Sequence, residues 1–263
     1  MSAVAVESSS HALSEDQVNG YWEKGWVALP GLFTAAEASA WDIEAKRLLQ
    51  ADFVHDDNLR TGFRPIDGKK MIERIDPVID VSPLFQSVVD DPRILGALAS
   101  IFRDEPKLFK DKLIFKLPKM TGYTMHQDQA WWQMCDSDDI LSVSIAVDGA
   151  SVDNGCIELF PGYHRSLISP KGELRNLHEA EVKQHIDETK GQKIATKPGD
   201  VLIFHSLAPH RSGDNTSTGS RRSLYLTYTA ARSGNLYAAH RDHYKTYITA
   251  KMNEEEKKRK FFK

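Results

Sequence analysis

The sequence predicts a mainly β domain with flanking helices, an α+β chain in which a sandwich or barrel is braced from outside by N-terminal helices. Three observations predict it. Apolar residues recur at helical spacing up to Phe102, the period changes to strict alternation from Lys110 onward, and the later apolar runs are short. Turn signals at Asn154-Gly155, Pro161-Gly162 and Pro198-Gly199-Asp200 separate those runs. Helices first and many short strands afterwards suit two packed sheets with helical support.

Residues 1 to 13 are Ser- and Ala-rich and aperiodic, an expected mobile arm ahead of one domain spanning residues 14 to 263. Ser14 followed by Gln17 reads as a capping box, after which Val18, Tyr21 and Trp22 share a helical face. Thr34 and Glu37 repeat that grammar, and the helix they open turns Trp41, Ala45 and Leu48 inward with Glu44 and Lys46 toward water. A third helix is expected from Asp91 and Pro92, with a stripe of Leu95, Leu98 and Phe102.

The sheet is expected to begin in "KLIFKLP", where Leu113, Phe115 and Leu117 line one face and Lys112, Ile114 and Lys116 the other. In "ILSVSIAVDG", Leu141, Val143, Ile145 and Val147 alternate with Ser142, Ser144 and Ala146, and "CIELF", "KIATKPGDVLIFHS" and "RSLYLTYTA" continue the pattern. "NLHEAEVKQHIDE" reads as a helical insertion between strands, and "NEEEKKRK" as a solvated helix end.

Acidic and basic residues nearly balance, 37 against 34, so no electrostatic footprint for nucleic acid is present. No run of roughly 18 or more apolar residues marks a membrane span. Two cysteines, Cys135 and Cys156, are too few for a disulfide framework and fit a reducing compartment, with a cytoplasmic location expected. Small molecules are the expected partners of a monomer or small homo-oligomer.

The chemistry is concentrated in "YTMHQDQAWW" and "VLIFHSLAPHRSGDNTSTGSRRSLYLTY". His126 and Asp128 stand two apart, so on an extended strand both side chains share a face and can converge on one ion. By itself an H-x-D is equally the pattern of a structural histidine beside a salt-bridged aspartate. His210, in the loop expected after the apolar strand, supplies a third donor. Two neutral imidazoles and one carboxylate on one face of an ion form the facial triad of non-haem iron(II) oxygenases, leaving positions open. A 2-oxoacid can occupy two of them, and Arg221, eleven residues beyond His210, offers a rigid fork for its far carboxylate with Ser212 adding a hydroxyl. Arg222 points to the opposite face of the same strand. His205 belongs to the strand rather than to the ligand set, His164 is expected to brace its Pro-Gly loop, and His178 and His185 to be solvated.

Taken together these residues resemble the phytanoyl-CoA hydroxylase family of iron(II)- and 2-oxoglutarate-dependent dioxygenases. The H-x-D is His126-Gln127-Asp128. Asn154 to Cys156 with Pro161, Gly162 and His164 match the "NGC…PG-x-H" segment, and His210, Ser212, Gly213 and Asn215 the distal "H-x-S-G-x-N" loop. Arg221 matches the 2-oxoglutarate arginine, and Lys116 a lysine that helps to hold the cosubstrate. The resemblance implies a double-stranded β-helix, a cupin-like jelly roll, using iron(II), 2-oxoglutarate and O2 to hydroxylate an unactivated C–H with release of succinate and CO2. Related halogenases lack the carboxylate, so Asp128 implies hydroxylation.

The family spans acyl-CoA esters, amino acids, osmolytes, phosphonates and natural products, so substrate must be read from other residues. Gln129 and Trp131 are expected near the pocket, with at least one of Trp131 and Trp132 facing it. Arg64 and Arg74, in "TGFRPIDGKKMIERIDP", either form surface salt bridges or reach the pocket, in which case the substrate carries a carboxylate, phosphonate or phosphate. The reading is a small charged molecule such as an amino acid or aminophosphonate. A metal- or 2-oxoglutarate-binding sensor and a zinc hydrolase are the alternatives, and the latter leaves Arg221 and Ser212 without a task.

Overall fold

A computed structural model describes residues 11–55, 58–132, 134–250 and 252–260. In chain order its elements are α1 (Glu15–Lys24), β1 (Trp26–Leu29), α2 (Ala35–Leu49), α3 (Asp52–His55), β2 (Thr61–Ile66), β3 (Lys69–Ile75), α4 (Pro83–Val89) and α5 (Pro92–Phe102). There follow β4 (Pro106–Lys116), β5 (Ile140–Ala146), β6 (Ile157–Leu159), α6 (Glu179–His185), β7 (Gln192–Ile194), β8 (Val201–His205), β9 (His210–Ser212), β10 (Arg221–Ala230), α7 (Tyr237–Thr249) and α8 (Glu254–Lys260).

The strands form two antiparallel sheets, a large one in the order β1-β8-β5-β10-β4-β3-β2 and a small one in the order β7-β6-β9. This is the jelly-roll arrangement, with helices along the outside of the large sheet. Alternation assigns its two faces. Leu113, Phe115, Leu141, Val143, Ile145, Leu224 and Leu226 join the main core with Trp41, Ala45 and Leu48 of α2 and Ile94 and Leu98 of α5. The opposite face looks toward the small sheet, and Trp26, Leu202 and Phe204 meet Ile157 and Leu159 there in a second cluster.

The capping boxes of Ser14 with Gln17 and Thr34 with Glu37 are both formed. Asp91 caps α5, with Pro92 in the first turn. Three local expectations need correction. The sheet begins well before Lys110, because β1 pairs with β8 and the β2–β3 hairpin joins β4. Glu44 does not simply face water: it accepts from Ser82 Oγ (2.5 Å) and Arg47 (2.7 Å), tying α2 to the start of α4. Leu13 is not part of a free arm, since its N–H donates to Ser100 Oγ at 3.0 Å and its side chain packs on the core. Residues 1–10 of the expected arm lie outside the described residues.

Helix α7 packs against β4. Its Tyr237 hydroxyl donates to Asp111 Oδ2 at 2.8 Å, and His240 stacks at 4.3 Å on Phe109. His240 is buried, its Nε2 has no hydrogen-bond partner, and burial followed by the charge of Lys110 pushes its pKa down to about 3. The folded chain therefore holds a neutral imidazole, whereas the unfolded chain takes a proton near the ordinary value of 6.5. Stability from this group is full above that value and declines as pH falls toward the folded pKa, by up to about 1.4 kcal/mol per pH unit. Urea unfolding of the metal-free protein from neutral to mildly acid pH should show a slope to which this group contributes beside His126 and His205, and His240→Phe should reduce it by His240's share. An unchanged slope in the variant would assign the acid sensitivity to other groups.

Candidate metal and cosubstrate site

The site is built where the small sheet faces the large one. His126 and His210 exchange backbone hydrogen bonds in both directions, each at 3.0 Å, which places their imidazoles side by side with centroids 4.1 Å apart. His210 thus lies on strand β9 rather than in the loop expected for it. His126 occupies an isolated bridge to that strand, and Asp128 starts a short 3₁₀ turn, so the pair does not share one continuous strand. Convergence survives, because one candidate ligand atom from each of His126, Asp128 and His210 lies within 4.8 Å of the others.

Partners around these residues fix which atoms face the centre. His126 Nδ1 lies 2.8 Å from the Thr124 carbonyl, and His210 Nδ1 lies 2.9 Å from the Ala208 carbonyl. A carbonyl only accepts, so each Nδ1 carries the proton and each Nε2 presents its lone pair inward. Ser142 Oγ donates to Asp128 Oδ2 at 2.8 Å, leaving Oδ1 to face His126 Nε2 at 3.8 Å. Burial, with the neighbouring His210, holds His126 down to about 3, the neutral form that ligation requires. Burial alone would raise the pKa of Asp128. The two neighbouring imidazoles, the Lys112 ammonium and the Ser142 hydrogen bond outweigh it and hold the carboxyl below its ordinary range. Two neutral nitrogens and one carboxylate oxygen suit a divalent ion of the iron class.

Gln127, between the two candidate ligands, was not singled out by sequence reasoning and is a cross-brace. Its amide nitrogen donates to the carbonyls of Ser166 (2.8 Å) and Leu207 (2.7 Å), and its oxygen accepts from Ile168 N–H (2.8 Å). Gln129, expected at the pocket, turns into the adjoining loop instead, donating to the carbonyls of Trp132 and Cys135, each at 3.2 Å.

A cavity of about 60 Å³ runs from the triad to Arg221 and Ser212, walled by Ile114, Tyr225 and Thr227. Arg221 is 4 % exposed, and its Nε has no hydrogen-bond partner. Burying a guanidinium nitrogen unsatisfied costs free energy, and a bidentate carboxylate is the ligand that repairs the deficit. Arg222 behaves oppositely: its Nε and Nη2 each bond Asp148 at 2.7 Å, and Nη2 also reaches Asp42. Lys116, paired in register with Arg221 across β4 and β10, donates to Ser212 Oγ at 2.9 Å and to the Gly213 carbonyl. Burial, then the charges of Arg221 and Arg64, push its pKa down to about 7. Arg221 thus borders the slot directly, and Lys116 stands behind Ser212.

Gly155 shows why the "NGC" turn needs glycine. Its φ is +73°, and a Cβ there would stand 2.2 Å from the Gly213 carbonyl and 2.8 Å from Lys116 Nζ. Asn215 staples the far side, donating to the carbonyls of Lys116 (2.9 Å) and Gly219 (2.8 Å). His205 and His164 lie outside the triad. His205 Nδ1 accepts from Leu207 N–H at 3.0 Å, and His164 Nε2 lies 3.1 Å from the Trp22 carbonyl. His178 and His185 are exposed.

The slot opens into an outer cavity of about 420 Å³, whose wall includes Arg74, Asn176, Trp131, Tyr244 and Tyr247. Trp132, 5 % exposed, borders both cavities, whereas Trp131, 37 % exposed, sits only at the outer one. Arg64 does not reach this wall. It bonds Glu73 and the Thr121 and Gly122 carbonyls, with its guanidinium 4.3 Å from the Tyr123 ring centroid. Lys112 borders both cavities and was placed on the correct strand face by alternation, but it was not proposed as a site residue. Its proximity in sequence to Lys116, four residues on the same face, was the available signal.

Known proteins resemble this chain in sequence and in fold. The chain is 26 % identical over 235 residues to methylphosphonate hydroxylase of Gimesia maris, covering 85 % of this chain and 84 % of that one. It is 27 % identical over 176 residues to 2-aminoethylphosphonate dioxygenase of uncultured bacterium HF130_AEPn_1, covering 64 % and 62 %. Among solved structures, EctD from S. alaskensis with 2-oxoglutarate and 5-hydroxyectoine superposes with a TM-score of 0.73 at 21 % identity, covering 88 % of this chain and 81 % of that one. The family model for phytanoyl-CoA dioxygenase (PhyH) matches residues 21–223, and the chain belongs to that family.

Proposed function

We propose that the protein is an iron(II)- and 2-oxoglutarate-dependent dioxygenase that hydroxylates a C–H of a small charged organic molecule. The observation that carries this is the buried, unpartnered Arg221 at the far end of a slot whose near end is the His126–Asp128–His210 triad. Bound there, iron(II) with 2-oxoglutarate and dioxygen supplies oxidative decarboxylation to succinate and CO2 coupled to hydroxylation. The chain's own part is positional. His126, His210 and Asp128 would hold the ion, with Thr124, Ala208 and Ser142 fixing their orientation. Arg221, Ser212 and Lys116 would hold the distal carboxylate of the cosubstrate, and Trp132 would shield the junction with the outer cavity from water.

Relatives named for methylphosphonate and 2-aminoethylphosphonate support a small anionic or zwitterionic substrate over an acyl thioester. A zinc hydrolase would leave Arg221 without a task beside its centre, and a sensor would not need the outer cavity. We read residues 14–263 as one domain acting as a monomer or small homo-oligomer. No described helix is long and apolar enough to cross a membrane, and two free thiols support a cytoplasmic setting. The test is anaerobic titration of the iron(II) protein with 2-oxoglutarate. A visible charge-transfer band, followed by succinate on admitting oxygen, is expected; neither band nor succinate from folded, iron-loaded protein would sink the reading.

A further inference from the structure

We propose that Lys112 is the anchor for an oxyanion carried by the substrate, assisted by Arg74 at the cavity rim. The proposal rests on the dioxygenase reading for its second, cosubstrate anion, but its own evidence lies in the outer cavity.

Three cations border that cavity, Arg74, Lys110 and Lys112, and two of them are already answered. Lys110 pairs with Asp76 at 2.7 Å, and Arg74 with Glu73 at 2.9 Å. Lys112 makes no hydrogen bond or ion pair among the described residues; its ammonium rests 5.4 Å from the Tyr225 ring centroid. Of the two carboxylates on the wall, Asp76 pairs with Lys110, and Asp128 is committed, one oxygen to Ser142 and the other toward the triad centre. An ammonium placed in a half-buried cavity without a partner is costly unless a ligand supplies the opposite charge.

Its position on the strand indicates whose charge that is. Lys112 and Lys116 share one face of β4, four residues apart, a separation of about 13 Å along an extended chain. Arg221 and Ser212 border the slot, and Lys116 donates to Ser212 Oγ from behind it, so one anion is accommodated there. Lys112 stands at the junction, bordering the inner and outer cavities together with His126 and Asp128. Arg221 and Ser212 at the slot and Lys112 at the junction fit two anions placed end to end: the cosubstrate inside and the substrate outside.

Phosphonate and carboxylate share the chemistry that Lys112 recognises, and binding experiments separate them. Protein loaded with Zn(II) and 2-oxoglutarate, so that the inner site is filled, would be titrated calorimetrically with methylphosphonate, 2-aminoethylphosphonate, acetate and the uncharged dimethyl methylphosphonate. At least one of the anions is expected to bind, and the ester is not. Lys112→Met should weaken binding about 10- to 100-fold and Lys112→Arg should restore most of it, as expected for a charged hydrogen bond. Arg74→Gln should weaken it by about 3- to 10-fold, less because Arg74 is shared with Glu73. Thermal melting of each variant checks that it is folded, and Lys112→Gln serves if Lys112→Met is not. Equal binding of the ester, undiminished binding to folded Lys112→Met, or no binding by any anion overturns the proposal. Succinate formation by the iron(II) protein is the separate readout: its absence alongside Lys112-dependent binding would sink the dioxygenase reading and leave the anchor standing.

Discussion

Asp128→Ala is expected to lower iron-dependent succinate formation by at least about a thousand-fold, equivalent to roughly 4 kcal/mol of barrier, while the chain still folds. The activity loss follows from geometry. Asp128 is the one carboxylate of the three-residue cluster, and the Ser142 hydrogen bond leaves its other oxygen free to ligate. Folding should survive because the effects on stability oppose one another. The variant removes a carboxylate that is only 8 % exposed, which relieves a desolvation cost, and deprives the Ser142 hydroxyl of its acceptor, which costs about 1 kcal/mol. The decisive measurement is thermal melting with and without added iron(II) under anaerobic conditions. Wild type should be stabilised by the ion, as any ligand of the native state stabilises it, and Asp128→Ala should lose that increment. A variant that keeps the full metal-induced shift would show that the ion sits elsewhere.

Arg221 and Arg222 are adjacent in sequence, yet their alanine variants should fail in opposite ways. Arg221→Ala should raise the KM for 2-oxoglutarate about 100-fold, the loss of a bidentate charged contact worth roughly 3 kcal/mol. Its stability should hold or improve, because the replaced guanidinium is buried with Nε unsatisfied. Arg222→Ala should leave that KM near the wild-type value and destabilise the fold by about 2 kcal/mol, discounted from a fully buried pair because Asp42 is 30 % exposed. Arg222 ties α2, through Asp42, to the end of β5, through Asp148, and burial of the guanidinium is outweighed by these two carboxylates, which raise its pKa. Steady-state kinetics with urea unfolding on both variants separates the cases. Exchange of the two phenotypes would place the register of β10 wrong by one residue.

That register was legible because strand alternation is a two-residue rule applied to neighbours: of two consecutive arginines only one can face the slot. Capping was legible for the same reason, since Ser14 with Gln17 and Thr34 with Glu37 bond across three residues and need nothing from the rest of the chain. The β2–β3 hairpin escaped although its signal was present. Asp67-Gly68, with φ of 49° and 76°, forms the two-residue turn between the strands, but the charged run around it reads as a surface loop. His210 was expected in a loop because β9 is three residues long, too short for alternation to be recognised.

By itself the sequence determined the kind of chemistry: the donor types, their order and the arginine that follows them define what an ion and a 2-oxoacid would meet. It also determined the starts of α1, α2 and α5 and the two faces of β4 and β5. Only the tertiary structure decided which long polar side chains reach that chemistry. Gln129 bends into its own loop, Arg64 spends its charge on Glu73, and Lys112 is left facing the cavity without a hydrogen bond or ion pair among the described residues. The physical reason is reach. Backbone periodicity sets the direction of a side chain at its first bond, but a lysine, arginine or glutamine ends several rotatable bonds later, and its end point is chosen by partners far away in the chain.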